Sequence, residues 1–199
     1  MVVDMKLIGI AGTNGAGKDL LGDILAERHG FLFISMTDML REELARRGLP
    51  PAREHMRDLS AEWRRESGLG VLIDKAMVVY GPQTGKYVGL ACASLRNPGE
   101  NDRVHELGGT VVWVDADPRV RYERLQANVQ ARGGLRAVDD QKTFEQFLAE
   151  EQVEMQHSGD AATLSMGDVK AKADIFLENN GTDVDAFARE IKKALNLRA

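Results

Sequence analysis

The stretch GTNGAGKD, residues 12–19, restricts the fold more than any other part of the sequence. Gly12, Gly17 and Lys18 keep the spacing G-x-x-x-x-G-K. A short apolar run, KLIGIA at 6–11, precedes it, and Leu20, Leu21, Ile24 and Leu25 follow at helical spacing. A strand, a glycine-rich turn and a helix in that order form a cradle for phosphate. Glycines let backbone N–H groups turn inward on an anion, and the helix N-terminus adds partial positive charge. In this reading Gly12, Asn14, Gly15, Ala16, Gly17 and Lys18 hold a nucleotide's phosphates, with Lys18 supplying the full charge. The pattern ordinarily continues with a hydroxyl that ligates Mg²⁺. Here the next residue is Asp19. Its carboxylate either interacts with the helix dipole or replaces the hydroxyl as a Mg²⁺ ligand, directly or through water.

The rest of the chain alternates short apolar runs with amphipathic ones. FLFIS at 31–35, KYVGLACASL at 86–95, TVVWVDA at 110–116 and DIFLEN at 174–179 read as four further strands. Helices are expected over 37–48, capped by Thr37 or Asp38 and stopped by Gly48, and over about 52–67 and 70–80. Others open at Asn97-Pro98, with Glu100 near the third position, at Asp117-Pro118, and over 183–196. Five buried strands alternating with helices predict a parallel, doubly wound α/β sheet in one domain.

Composition excludes several roles. A formal net charge of −5 argues against general nucleic-acid or membrane-surface binding. The opening MVVDMKLIGIAG is broken by Asp4 and is too short to span a bilayer. One cysteine, Cys92, forms no internal disulfide and points to a reducing cytoplasm. The four histidines show no metal-ligand spacing.

Taken with FISMTDMLREEL at 33–44, the GTNGAGKD loop resembles the nucleoside monophosphate kinase branch of the P-loop proteins. The whole chain is similar to adenylate-kinase-like proteins described as dephospho-CoA-kinase-like. The likeness extends through SLRNPGE, VVWVDADPRVRYERL, FEQFLAEEQVE and DIFLENNGT. It implies a three-layer P-loop fold with acceptor-binding helices at about 36–82 and a lid at about 117–165. It further implies ATP and Mg²⁺ as cofactors, a small nucleotide or nucleotide-like acceptor, and a monomer or homodimer. Arg41 would then bind the acceptor's phosphate, with Thr37 and Asp38 beside its sugar or phosphate, and Arg96 would provide a second phosphate contact. The segment 119–136 holds five arginines and one acid. As a lid it would deliver Arg124 and Arg132, then Arg136, to the transferring group. Asn180 and Gly181 in the NNGT turn would pack against adenine.

One departure stands out. Such kinases carry an aspartate at the end of the third strand, where this sequence has Ala93 and Ser94. Asp19 or Asp115 could substitute. Three readings follow: transfer to a (deoxy)nucleoside monophosphate, transfer to a ribose hydroxyl with Asp38 orienting or deprotonating it, or nucleotide binding with little turnover.

Overall fold

Strand β1 (Lys6–Gly12) is the centre of a five-stranded sheet. The computed structural model describes residues 6–131, 142–156 and 159–197. β1 pairs in parallel with β3 on one side and β4 on the other, giving the order β2-β3-β1-β4-β5. The chain reaches this order through α1 (Lys18–His29), β2 (Phe31–Ser35), α2 (Met36–Arg46), α3 (Arg53–Ser67), α4 (Val71–Tyr80) and β3 (Gly89–Ala93). It continues through α5 (Pro98–Glu106), β4 (Thr110–Asp115), α6 (Pro118–Ala131), α7 (Phe144–Met155), α8 (Met166–Ala171), β5 (Ile175–Glu178) and α9 (Val184–Ala194).

The period of two along each strand sorts its side chains between two cores. Leu7, Ala11, Leu90, Cys92, Val111 and Trp113 face one way and pack with α2, α3, α4, α5 and α8. Ile8, Ile10, Ala91, Ala93, Val112 and Val114 face the other and meet α1 and α9. This is the expected three-layer α/β fold. Burial pushes the Cys92 thiol up to about 12, so it behaves as a small core residue. Because every strand runs the same way, the turns after β1, β2, β3, β4 and β5 gather at one edge, where ligands of such sheets collect.

Two local expectations need correction, and two helices were not expected. β3 is shorter than 86–95, because Lys86 and Tyr87 belong to a turn and Ser94 ends the ladder at φ 72. α2 begins at Met36 rather than behind a Thr37 or Asp38 cap, because Met36 is buried in the core and Ser35 already ends β2. The helices α7 and α8 carry no clear apolar stripe in the sequence. α7 buries only Phe147 and Glu154, and is fastened by a capping box between Thr143 and Gln146.

At α5 the expected cap is present and has a second role. Asn97 caps the helix, and Glu100 returns to the Asn97 N–H at 3.1 Å. Fully buried, Glu100 also accepts from the Arg96 N–H at 2.7 Å and from the Arg64 guanidinium at 2.7 and 3.2 Å. Arg64 donates further to the Ala162 carbonyl at 2.9 Å, while Asn97 Nδ2 donates to the Ala161 and Thr163 carbonyls. One polar hub thus joins α3, the β3–α5 turn and the segment after α7. Replacing Arg64 by Met strands the Glu100 carboxylate with backbone donors alone. It should lower the urea midpoint by the equivalent of about 3–5 kcal/mol. The double variant R64M/E100Q should recover part of that loss.

Candidate phosphate-binding site

The loop after β1 is built by close approach. Gly12 lies against β4, at φ 141, where a Cβ would stand 2.0 Å from the Val114 carbonyl oxygen. Gly15 and Gly17 are also left-handed, at φ 81 and 99. Three side chains from elsewhere fasten the loop. The Thr13 hydroxyl donates to Asp115 at 2.7 Å, Asn179 Nδ2 donates to the Ala16 carbonyl at 2.8 Å, and Arg121 reaches the Asn14 carbonyl at 3.4 Å. Lys18 folds back over the loop, donating to the Gly12 and Thr13 carbonyls at 3.1 and 2.7 Å. Burial, reinforced by Arg96, pulls its ammonium down to about 8.

Beside the loop lies a small cleft lined by Gly12, Thr13, Asn14, Arg96, Trp113 and Glu154, among others. The Glu154 carboxylate, 7% exposed, is its most connected group. It accepts from Arg57 at 2.8 Å, Arg96 at 3.2 Å and Asn14 Nδ2 at 3.2 Å, and Arg96 also donates to Asn14 Oδ1 at 2.9 Å. Burial alone would raise its pKa, but Arg96 and Arg57 outweigh that and hold it below the usual carboxylate range. One turn back on α7, Glu151 pairs with Arg121, whose side chain is buried.

Asp115, at the end of β4, accepts from Thr13, the Ala116 N–H and Trp113 Nε1. These bonds, with Arg121 nearby, overcome desolvation and keep its carboxyl ionised below the ordinary range. Asp19 is exposed in the first turn of α1 and makes no side-chain hydrogen bond among the described residues. No cluster of three or more metal-ligating side chains occurs among the described residues. Mg²⁺ needs only one or two carboxylates when phosphate oxygens and waters complete its shell. Asp19, free at the mouth of the loop, fits that requirement.

The structure therefore brings Gly12, Asn14, Gly15, Ala16, Gly17, Lys18 and Arg96 together. Thr37, Asp38 and Arg41 lie in the first turns of α2, on the same edge of the sheet. There Arg41 pairs with Asp38 at 2.7 Å, and none of their hydrogen bonds reaches the loop. Arg124 donates to the Asn179 and Gly181 carbonyls at 2.8 and 2.6 Å, which places it behind the loop's anchor. Asn180 accepts from the Asp117 N–H at 2.6 Å. Residues 1–5, and with them the opening MVVD, lie outside the described residues, as do Arg132 and Arg136. Sequence reasoning missed Glu151 and Glu154 as cleft residues, Arg57 as the partner of Glu154, and Asn179 as the loop's anchor. The signal for Glu154 was an acid set among Val153, Met155 and the Phe147 turn, on a helix whose apolar residues form no stripe to be read from periodicity.

This architecture and loop define an α/β protein of the P-loop fold. The chain belongs to the AAA domain family, whose profile matches residues 8–144, and to the UPF0200 proteins. It is 30% identical over 191 residues to a UPF0200 protein of Hyperthermus butylicus, covering 96% of this chain and 93% of that one. A UPF0200 protein of Pyrobaculum aerophilum is 28% identical over 193 residues, covering 96% and 97%. Among solved structures, a shikimate kinase from Bacteroides thetaiotaomicron superposes with a TM-score of 0.61 at 14% identity, covering 97% of this chain and 99% of that one. A shikimate kinase from Acinetobacter baumannii, in complex with shikimate, gives 0.55 at 17% identity, covering 98% and 95%. At such identities the likeness concerns the fold.

The depressed Lys18 pKa gives a signed expectation. A bound polyphosphate keeps the ammonium charged, so above pH about 8 the complex holds a proton that the free protein has lost. ATP affinity should be flat below that pH and fall above it, by at most about tenfold per pH unit. Calorimetry at pH 8.5 in buffers of different ionisation enthalpy should register proton uptake on binding, and Lys18→Ala should abolish it.

Proposed function

We propose that the protein is an ATP- and Mg²⁺-dependent kinase for a small nucleotide or nucleotide-like acceptor. The observation that carries the reading is the shared cleft: the phosphate loop at Gly12–Asn14 and the ion pair of Arg96 and Glu154 wall the same space, and Arg57 holds Glu154 from α3. Gly12 to Lys18 hold the triphosphate, Asp19 ligates Mg²⁺, and Asn180 and Gly181 border the adenine. Phosphoryl transfer asks little more of a protein than such positioning and charge. The superposition on shikimate kinases, enzymes named for a small-molecule substrate, supports the assignment.

In this reading the helices at 36–82 form the acceptor side and 117–165 the lid. Thr37, Asp38 and Arg41 face the acceptor once it is bound, and Arg124, Arg132 and Arg136 serve the lid. Two acceptor chemistries fit the frame, the phosphate of a (deoxy)nucleoside monophosphate and a hydroxyl of a nucleotide-like molecule. Among the described residues no helix is long and apolar enough to cross a membrane, in keeping with a cytoplasmic enzyme.

A coupled ADP-release assay with Mg²⁺, over a panel of monophosphates and dephospho-CoA, tests the proposal. Acceptor-dependent ADP release is expected. ATP binding without any such release would leave a nucleotide-binding protein instead. Lys18→Ala should lower kcat/KM by about 10²-fold or more, the loss seen when one charge-stabilising donor is removed. Asp19→Ser should raise the Mg²⁺ concentration needed for half-maximal rate; an unchanged requirement would confine Asp19 to the helix dipole.

A further inference from the structure

We infer that the group phosphorylated is a hydroxyl rather than a phosphate, and that Glu154 takes its proton. The inference rests on the kinase reading above and deepens it. It begins with the partners of the arginines around the cleft. Arg57 and Arg96 both converge on the single carboxylate of Glu154. Arg121 pairs with Glu151, Arg41 with Asp38, and Arg124 donates to two backbone carbonyls. Each of these guanidinium groups therefore already has a hydrogen-bond partner within the protein. An acceptor phosphate placed there would have to compete with Glu154 for Arg57 and Arg96. A neutral hydroxyl leaves those pairs intact, and it brings the proton a carboxylate can accept.

Position favours the same assignment. Glu154 Oε2 lies 3.2 Å from Asn14 Nδ2, so the carboxylate stands directly against the phosphate loop. Asp38, the acid expected from the sequence to orient or deprotonate a hydroxyl, is exposed and paired with Arg41. The end of β3, where a carboxylate would otherwise stand, carries Ala93 and Ser94. The charges facing Glu154 are Arg53 and Arg57 of α3, Arg96 after β3 and Lys18 of the loop. This cationic surround keeps it ionised.

The step balances as follows. The acceptor oxygen attacks the γ-phosphorus, forming an O–P bond, while the bridging O–P bond to the β-phosphate breaks and ADP leaves with its electron pair. The hydroxyl proton passes to Glu154 and then to solvent, one per turnover. Water is the smallest hydroxyl acceptor, so slow ATP hydrolysis reports on the same group without knowledge of the natural substrate.

The experiment has three readouts on the full chain: ATP affinity from a fluorescent ATP analogue, single-turnover hydrolysis of [γ-³²P]ATP, and the product formed from AMP, CMP or dephospho-CoA. AMP and CMP each carry both a phosphate and ribose hydroxyls, so an acid-labile anhydride or a stable monoester identifies the atom attacked. Glu154→Gln should bind ATP as the wild type does and hydrolyse it about 10²-fold more slowly, the usual contribution of a positioned base. Should that variant misfold, Glu154→Asp decides. A tenfold or greater loss of rate at unchanged ATP affinity supports the inference, and a wild-type rate overturns it. Should neither fold, the wild-type product decides. Faster formation of ADP from AMP, or of CDP from CMP, than of any monoester overturns the inference. So does undiminished hydrolysis by Glu154→Gln, or a wild type that binds ATP without hydrolysing it. Failure of the wild type to bind ATP would sink the kinase reading instead.

Discussion

Glu100 is the residue on which the geometry of the cleft depends. Its two oxygens, buried and fully occupied, hold the Arg64 guanidinium on one side and the backbone N–H groups of Arg96 and Asn97 on the other. Arg64 belongs to α3, the helix that presents Arg57. Arg96 starts the turn that leads to the phosphate loop, and the carbonyls of 161–163 lie just beyond the helix that presents Glu154. The three groups that meet at Glu154 thus come from elements joined through the hub around Glu100. A buried ion pair is weak evidence of net stability, because desolvation opposes the Coulombic gain. Its value here is directional, since it fixes how α3, the β3–α5 turn and the 161–163 segment meet.

The electrostatics of the cleft follow from that convergence. Arginines left together in a low-dielectric space repel one another, and a carboxylate among them relieves the repulsion. Glu154 and Glu151, one turn apart on α7, neutralise arginines from α3, the β3–α5 turn and α6. Helix α7 is therefore held over the loop by these ion pairs together with the packing of Phe144 and Phe147 on Tyr122 of α6.

This explains how much could be read from the sequence. The sheet was legible because its central strands, β1, β3 and β4, are buried on both faces and announce themselves as apolar runs; β1, β2 and β4 fall within a residue of their expected ends. The phosphate loop was legible because Gly12, Gly15 and Gly17 occupy backbone shapes that other residues rarely adopt. Arg96 was found through its place at a strand's end. Glu154 and Arg57 were not, because their significance depends on a meeting of residues nearly a hundred positions apart, which no periodicity records. Asn179 was passed over for its neighbours Asn180 and Gly181, though it is the buried one that grips the loop.

The fastening of the loop has a thermodynamic consequence. Thr13, Ala16 and Asn14 are each tied to a different part of the molecule, through Asp115 of β4, Asn179 beyond β5 and Arg121 of α6. A loop already held in its working shape has little conformational entropy left to lose when an anion enters it. Recognition of the phosphates then resembles the filling of a mould more than the closing of a hand. The ordering that accompanies ligand capture falls on side chains such as Lys18, which must exchange two carbonyls for the incoming oxygens.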